Sequence, residues 1–330
     1  MALYLLRRLL ALVAVLLVMS FIVFCLQRIV PSDPARAIAG PTAPAATVEQ
    51  VRERLGLNEP LLVQYGRFLA GLADGDLGTS TRTRKAVTQD LLRYGPASLE
   101  LMVAALLIGS AAGVAVAFGQ VAARRGEAAR LALLAAGSVP IFLSALLLVL
   151  FFWFHLGWLP GSGRLSIRGF SGPTGFVILD GLLSGRLDVV GNALSHLVLP
   201  AVTLAIPIAV AVARSLAGSL RGVLRQSYVR TARGNGLGKA AIIRRHGLRN
   251  AAAAPLAMVG LQVGLLFSNL LIVESIFAWP GLGLYTVQAL GSSDLSAVLG
   301  VAIAFGALYI LINAIIDILQ TLIDPRVGLA

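Results

Sequence analysis

Cysteine occurs once, at Cys25. A single thiol excludes an internal disulfide and a thiolate metal cluster. Charge is scarce. Asp, Glu, Lys and Arg make up 13% of the 330 residues, roughly half the share in an ordinary soluble domain. Of 27 basic residues only Lys85 and Lys239 are lysine. No metal-ligand spacing occurs, no phosphate-binding glycine loop closed by Lys-Ser or Lys-Thr, and no Gly-x-Ser-x-Gly. Ser162, in Gly161-Ser-Gly163, reads as a turn. No catalytic site, resident cofactor or metal is therefore expected in this chain, and a membrane protease lacks a nucleophile and base pair. A proton-coupled secondary transporter is the alternative from another class. It needs charged groups at mid-membrane and internal repeats, and neither is seen.

Apolar residues make up 58% of the chain. They form blocks long enough for membrane helices, which need roughly 20 residues each. A β-barrel would alternate with period two. The fold class expected is an all-α integral membrane protein with six transmembrane helices. Spans are placed at about 9–30, 97–121, 131–158, 196–220, 254–273 and 295–323. The basic flank Arg7-Arg8 is signal-like, but the run that follows is too long for a signal core, so an uncleaved first helix is expected. The resulting organisation is a first helix (1–30), an extracytoplasmic segment (31–96), a five-helix core (97–323) and a tail (324–330).

Basic residues mark cytoplasmic loops. Arg7, Arg8, the 122–130 loop and the 221–250 loop are basic, whereas 31–96 carries eight basic and seven acidic residues. Alternation across six spans places both termini in the cytoplasm. The net charge of +12 follows this loop pattern, so it points to anionic membrane lipid rather than nucleic acid. His155, His196, Glu100 and Asp317 fall near span ends and are expected to reach toward water. Pro140, Pro200 and Pro207 fall inside spans. They are expected to bend them, either along a path that opens and closes or merely to fit neighbouring helices.

Segment 221–250 carries eight basic residues and no acid. Apolar residues interleave with the charges, and glycines break it near the middle. This predicts two short amphipathic helices able to grip a partner. The residues Tyr228-Val-Arg-Thr-Ala-Arg233, Gly236-Leu237 and His246-Gly-Leu-Arg-Asn-Ala251 resemble the coupling loop of the permease subunits of ATP-binding-cassette importers, in their dipeptide/oligopeptide/nickel branch. Arg230-Thr231-Ala232 and Gly236 fill the positions of that family's Glu-Ala-Ala…Gly motif. Gly234, Asn235 and Gly247 stand where Ala, Lys and Ala are more usual. Val273-Glu-Ser-Ile-Phe-Ala-Trp-Pro-Gly-Leu-Gly283, Leu55-Gly-Leu-Asn-Glu-Pro-Leu-Leu-Val-Gln-Tyr65, Gly75-Asp-Leu-Gly-Thr-Ser80 and Asp324-Pro-Arg326 resemble the same branch, in order. The long segment after the first span resembles the first of its two paired permeases.

The resemblance implies the type I importer architecture, in a bacterial plasma membrane. It implies half of a translocation path for short peptides, with nickel or haem import as the alternative within the family. The implied partners are a second homologous permease, two ATPases that bind ATP and Mg, and an extracytoplasmic substrate-binding protein. Tyr228, Val229 and Leu237 are expected to dock on an ATPase cleft. Arg230, Arg233, Arg244 and Arg245 would pair with acids at its rim. Thr231, Ala232, His246, Arg249 and Asn250 complete the loop, with Gly236 as its turn. Two readings stand for Pro280, Gly281 and Gly283: a tight connection, or an outer gate with Phe277 and Trp279 as plug or interfacial anchors. Glu274 would bind a peptide amino group or face external water. Pro140 and Pro207 are the other candidates for the path.

Overall fold

The computed structural model describes residues 10, 13–15, 17–18, 20–22, 24–25, 34–40, 42–54, 56–122 and 126–323. Most of the expected first span, the tail, and Arg7, Arg8, Arg124 and Arg125 lie outside the described residues. The fold is all-α. The helices are α1 (Pro34–Ala39), α2 (Ala45–Arg54), α3 (Leu61–Ala73), α4 (Val87–Ala122), α5 (Gly126–Ser138), α6 (Ile141–Leu148, continued by a π-helical stretch Val149–His155), α7 (Val177–Leu183), α8 (Leu187–Val223), α9 (Ser227–Gly234), α10 (Lys239–Ile242, continued by a π turn Ile243–Gly247), α11 (Leu248–Ala251), α12 (Ala253–Ile276), α13 (Leu282–Gly291) and α14 (Leu295–Ile323).

Among the described residues, α4, α8, α12 and α14 are long and apolar enough to cross a membrane. Helices α5 and α6 form a further candidate, bent by 108° at their junction. These five match the second to sixth expected spans, with two corrections. The third is not one straight helix, because Pro140 has φ −54° and ψ 141° and starts α6. Proline lacks an N–H and disfavours helix at the residue before it. Pro140 is thus the break itself, not a kink within a continuous span. Helices α4 and α8 also begin nine or ten residues early, taking in Asp90, Arg93, Asp188 and Asn192. The backbone ladder propagates past the end of the apolar block that hydropathy detects.

The chain divides into two compact units. The first comprises 1–95 and 285–310. In it Tyr65 and Phe68 of α3 stack on each other and meet Phe24 at a tilt, and Tyr65 meets Phe21 edge-on at 5.5 Å. The Tyr65 hydroxyl also donates to the Leu17 carbonyl at 3.2 Å. A polar knot involves both its chain segments. Asp294 caps α14 by accepting the Ala297 N–H, and it also accepts the Ser80 hydroxyl and the Arg82 N–H. Asp90 accepts the hydroxyls of Thr83 and Tyr285. Tyr94 stacks on Tyr285 at 4.9 Å, and the Arg82 guanidinium sits 5.2 Å from the same ring. Burial, reinforced by the Asp90 acceptor, pushes the Tyr285 hydroxyl well above its ordinary range, so it stays a donor.

The second unit comprises 96–284 and 311–330. Its centre is α8, packed against α5, α6, α7 and α12. At 37 residues it is about 55 Å long, against about 30 Å of bilayer hydrocarbon. Helix α4 approaches it through Gly109 and Gly113. A Cβ at Gly113 would lie 2.7 Å from the Val212 Cβ, and one at Gly109 would lie 2.8 Å from the Ala205 carbonyl oxygen. This is the small-xxx-small contact of membrane helices, where van der Waals packing replaces the hydrophobic drive. Gly113→Val is expected to lower stability by about 1–3 kcal/mol through overpacking. Gly218→Ala, which meets open space, should lose nothing. Thermal melting of both variants in detergent checks this contrast. Leu107, Leu261 and Leu311 remain exposed on helix faces, as expected of surfaces that meet lipid.

Candidate functional site

The basic segment 221–250 folds as the patterning predicts, in two helical pieces separated by a turn. In α9, Val229 and Ala232 lie three residues apart on one face. That face packs against Ile242, with Leu224 and Leu237 beside it. Tyr228, Arg230, Thr231 and Arg233 are exposed. The helix ends in a Schellman motif. The Leu237 N–H donates to the Ala232 carbonyl at 3.3 Å, and the Gly236 N–H to the Arg233 carbonyl at 3.1 Å. Gly236 occupies the left-handed position, with φ +80°, and Leu237 returns to pack near Ala232.

Beyond the turn, Ile243, Leu248 and Ala251 pack on Leu216, Ala217 and Leu220 of α8 and on Ala117 and Val121 of α4. The segment is thereby seated on the ends of two long helices. Arg244 is exposed. Asn250 is exposed too, and its amide donates to the Tyr228 hydroxyl at 3.3 Å. The side chains of Arg245, His246 and Arg249 lie outside the described residues. One expectation is corrected. Val229 is 0% exposed and lies beneath α9, so it is not free to enter a partner's cleft. Leu237 is half-buried in the same cluster. The outward apolar group is Tyr228, at 41% exposure.

A second locus follows α12. Glu274 is 0% exposed, so it does not face external water. Its carboxylate accepts the Ser98 hydroxyl at 2.6 Å and the Leu284 N–H at 3.0 Å. The Ser98 oxygen in turn accepts the Leu282 N–H at 2.7 Å. Among the described residues no basic side chain pairs with Glu274. Its charge-bearing group is satisfied by donors instead, as a buried acid requires. The segment 277–283 is shaped around it. Ala278 takes a left-handed φ of 46°, tolerable for a small side chain. Gly281 presses against the carboxylate and the Ser98 hydroxyl, and Gly283 against the backbone of Leu270. Any Cβ at either position would collide.

Phe277 and Trp279 are each 1% exposed. Trp279 donates its indole N–H to the Ala97 carbonyl at 3.0 Å, and the Phe277 carbonyl accepts the Gly163 N–H at 2.8 Å. An interfacial anchor keeps one end wet. Both rings are packed inside the second unit instead, which removes that reading. Pro280 is exposed beside this buried turn.

The other expected positions divide. Pro207 and Pro200 lie within α8, which continues through both. His196 is buried rather than reaching water. Its Nδ1 donates to the Ser162 carbonyl at 3.0 Å, and its Nε2 is hydrogen-bonded with the Ser166 hydroxyl at 2.7 Å. Glu100 is mostly buried and paired with Arg164 at 2.5 Å, and it accepts the Ile178 N–H. Its fixed partner overrides the tendency to snorkel. His155 is exposed. The sequence reading did not single out Ser98 or Arg164. Neither stands in a spacing that marks it, because each partner comes from a distant helix.

The chain matches the family described as "binding-protein-dependent transport system inner membrane component" over residues 105–329, and the N-terminal family of the same components over 1–99. It is 38% identical to the probable D,D-dipeptide transport system permease protein of Escherichia coli over 312 residues, covering 93% of this chain and 92% of that one. It is 38% identical to the dipeptide transport system permease protein of Alkalihalophilus pseudofirmus over 329 residues, covering 98% of each. A glutathione transport system permease protein of Salmonella paratyphi A is 34% identical over 329 residues, again covering 98% of each.

Proposed function

The chain belongs to the binding-protein-dependent transport system inner membrane components, and from that membership we propose that it forms half of the translocation path for short peptides in an ATP-driven importer. Supporting the substrate class, the relatives are named for dipeptides, D,D-dipeptides, di- and tripeptides, and glutathione. The observation that carries the mechanism is the amphipathic α9 packed on Ile242, joined through its Gly236 turn to the 243–251 segment that is seated on the ends of α4 and α8. Helix α9 exposes Tyr228, Arg230 and Arg233, and the piece beyond the turn exposes Arg244. Those side chains meet an ATPase, with Arg245, His246 and Arg249 as candidates beside them.

The partners in this reading are a second permease, two ATPases that hold ATP and Mg, and an external binding protein that delivers the peptide. This chain supplies no catalytic site. When the ATPases close, α9 and the Ile243–Ala251 segment move with them, and α4 and α8 follow as rigid bodies. Both termini and 221–250 lie in the cytoplasm, and 31–96 lies outside.

Two measurements check the proposal. In a peptide-auxotrophic host lacking its own importers, growth on dipeptides should need this chain together with its partner subunits. Growth without it would refute the assignment. Cysteines introduced at Thr83 and Gly238 should be labelled from opposite membrane faces. Labelling of both by an impermeant reagent on intact cells would overturn the topology.

A further inference from the structure

A cavity of about 280 Å³ opens between the end of α4, α5 and α8. Gln120, Arg130, Arg214 and Arg221 line it, together with Leu134 and Val210. Among the described residues no acid lines it, and Arg214 and Arg221 have no hydrogen-bonding or ion-pair partner there. The two arginines are seven residues apart on α8, two turns along one face and about 10 Å along the axis. Between Asp188 and Arg214, α8 carries no Asp, Glu, Lys or Arg. Arg214 therefore stands at the edge of the apolar stretch, where hydrocarbon gives way to headgroups. The polar lining gathers toward the ends of α4 and α8, while Leu134 lies one turn further along α5 than Arg130.

We propose that this cavity holds the headgroup of an anionic phospholipid. Its phosphate would be bound by Arg214 and Arg221, with Arg130 at the wall, and an acyl chain would run over Leu134 and Val210. Guanidinium forks match phosphate oxygens two at a time. Basic pockets between membrane helices suit such headgroups. The cavity falls below the roughly 300–1,000 Å³ of pockets for drug-sized ligands, which fits a headgroup. The half-polar, half-apolar lining suits an amphiphile better than a free anion, and the position at the apolar edge suits a lipid better than a protein acid. The site adjoins Ala217, which packs beneath the 243–251 segment, so an occupied cavity would brace that end of α8.

The test uses the delipidated full-length chain in mild detergent, titrated with dioleoylphosphatidylglycerol and read by native mass spectrometry. Phosphatidylglycerol should be retained about tenfold better than phosphatidylcholine. Arg214→Gln with Arg221→Gln should abolish that preference, and the two Lys replacements should keep most of it. Arg168→Gln, an exposed charge elsewhere, should change nothing. If the double Gln variant does not accumulate, Arg214→Gln alone should lose at least half of the preference. Equal retention of the two lipids, or an unchanged preference in the Gln variants, would overturn the proposal. Displacement of the lipid by millimolar inorganic phosphate would make it a free-anion site instead. Lower peptide uptake by the Gln variants, with lipid preference intact, would place the arginines on the substrate path.

Discussion

Gly236→Val is expected to leave a folded permease in the membrane that no longer drives uptake. The native φ is +80°, and a β-branched residue there costs about 1–3 kcal/mol. A Cβ at this site would meet nothing within 4 Å, so the penalty is one of backbone conformation and not of packing. It falls on the turn that brings Leu237 back toward Ala232 and sets the angle between α9 and the next helical piece. A shift of that size changes the population of the turn by roughly 5- to 150-fold. Uptake of labelled dipeptide and co-purification of the ATPases should both fall, while membrane insertion stays normal. Gly236→Asn should restore much of the activity, because asparagine tolerates the left-handed region. Normal uptake by the Val variant would remove Gly236 from its role. Equal loss in Asn and Val would show that something other than φ is at work.

Replacing the buried acid at 274 should have the largest effect on stability. Glu274→Leu leaves the Ser98 hydroxyl and the Leu284 N–H without their acceptor in a dry site. Each buried donor so orphaned costs about 1–3 kcal/mol, and a loss of about 3–5 kcal/mol is expected in total. Glu274→Gln should be milder, because one amide oxygen remains to accept and Ser98 can rotate to receive the new N–H. Gly281→Ala should resemble the Leu variant, since its Cβ would enter the space of the carboxylate. Thermal melting of the full chain measures all three. A Ser98→Ala, Glu274→Leu double variant should fall well short of the sum of its parts, because the two residues share one network. An unchanged melting temperature for Glu274→Leu would mean that the network does not hold this turn.

Much of the architecture was legible in the residues themselves. Continuous apolar blocks indicated helices through a membrane, and the basic 221–250 segment indicated amphipathic pieces with a break at glycine. Both follow from local physics: a helix in lipid must be apolar over its length, and a left-handed turn selects glycine. Other features were decided only by tertiary structure. A carboxylate at a span end is drawn to water unless a partner from a distant part of the chain reaches it. Arg164 does so for Glu100, and Ser98 for Glu274. Patterning can assign Val229 to an amphipathic helix, but it cannot say whether its apolar face meets a partner protein or the chain's own Ile242. Pro140 marks a bend in any sequence, and only the packed helices determine that the bend is 108°. Hydrophobic periodicity is a property of one segment. The satisfaction of a buried charge and the orientation of an apolar face depend on which segments meet, and that is settled by long-range packing.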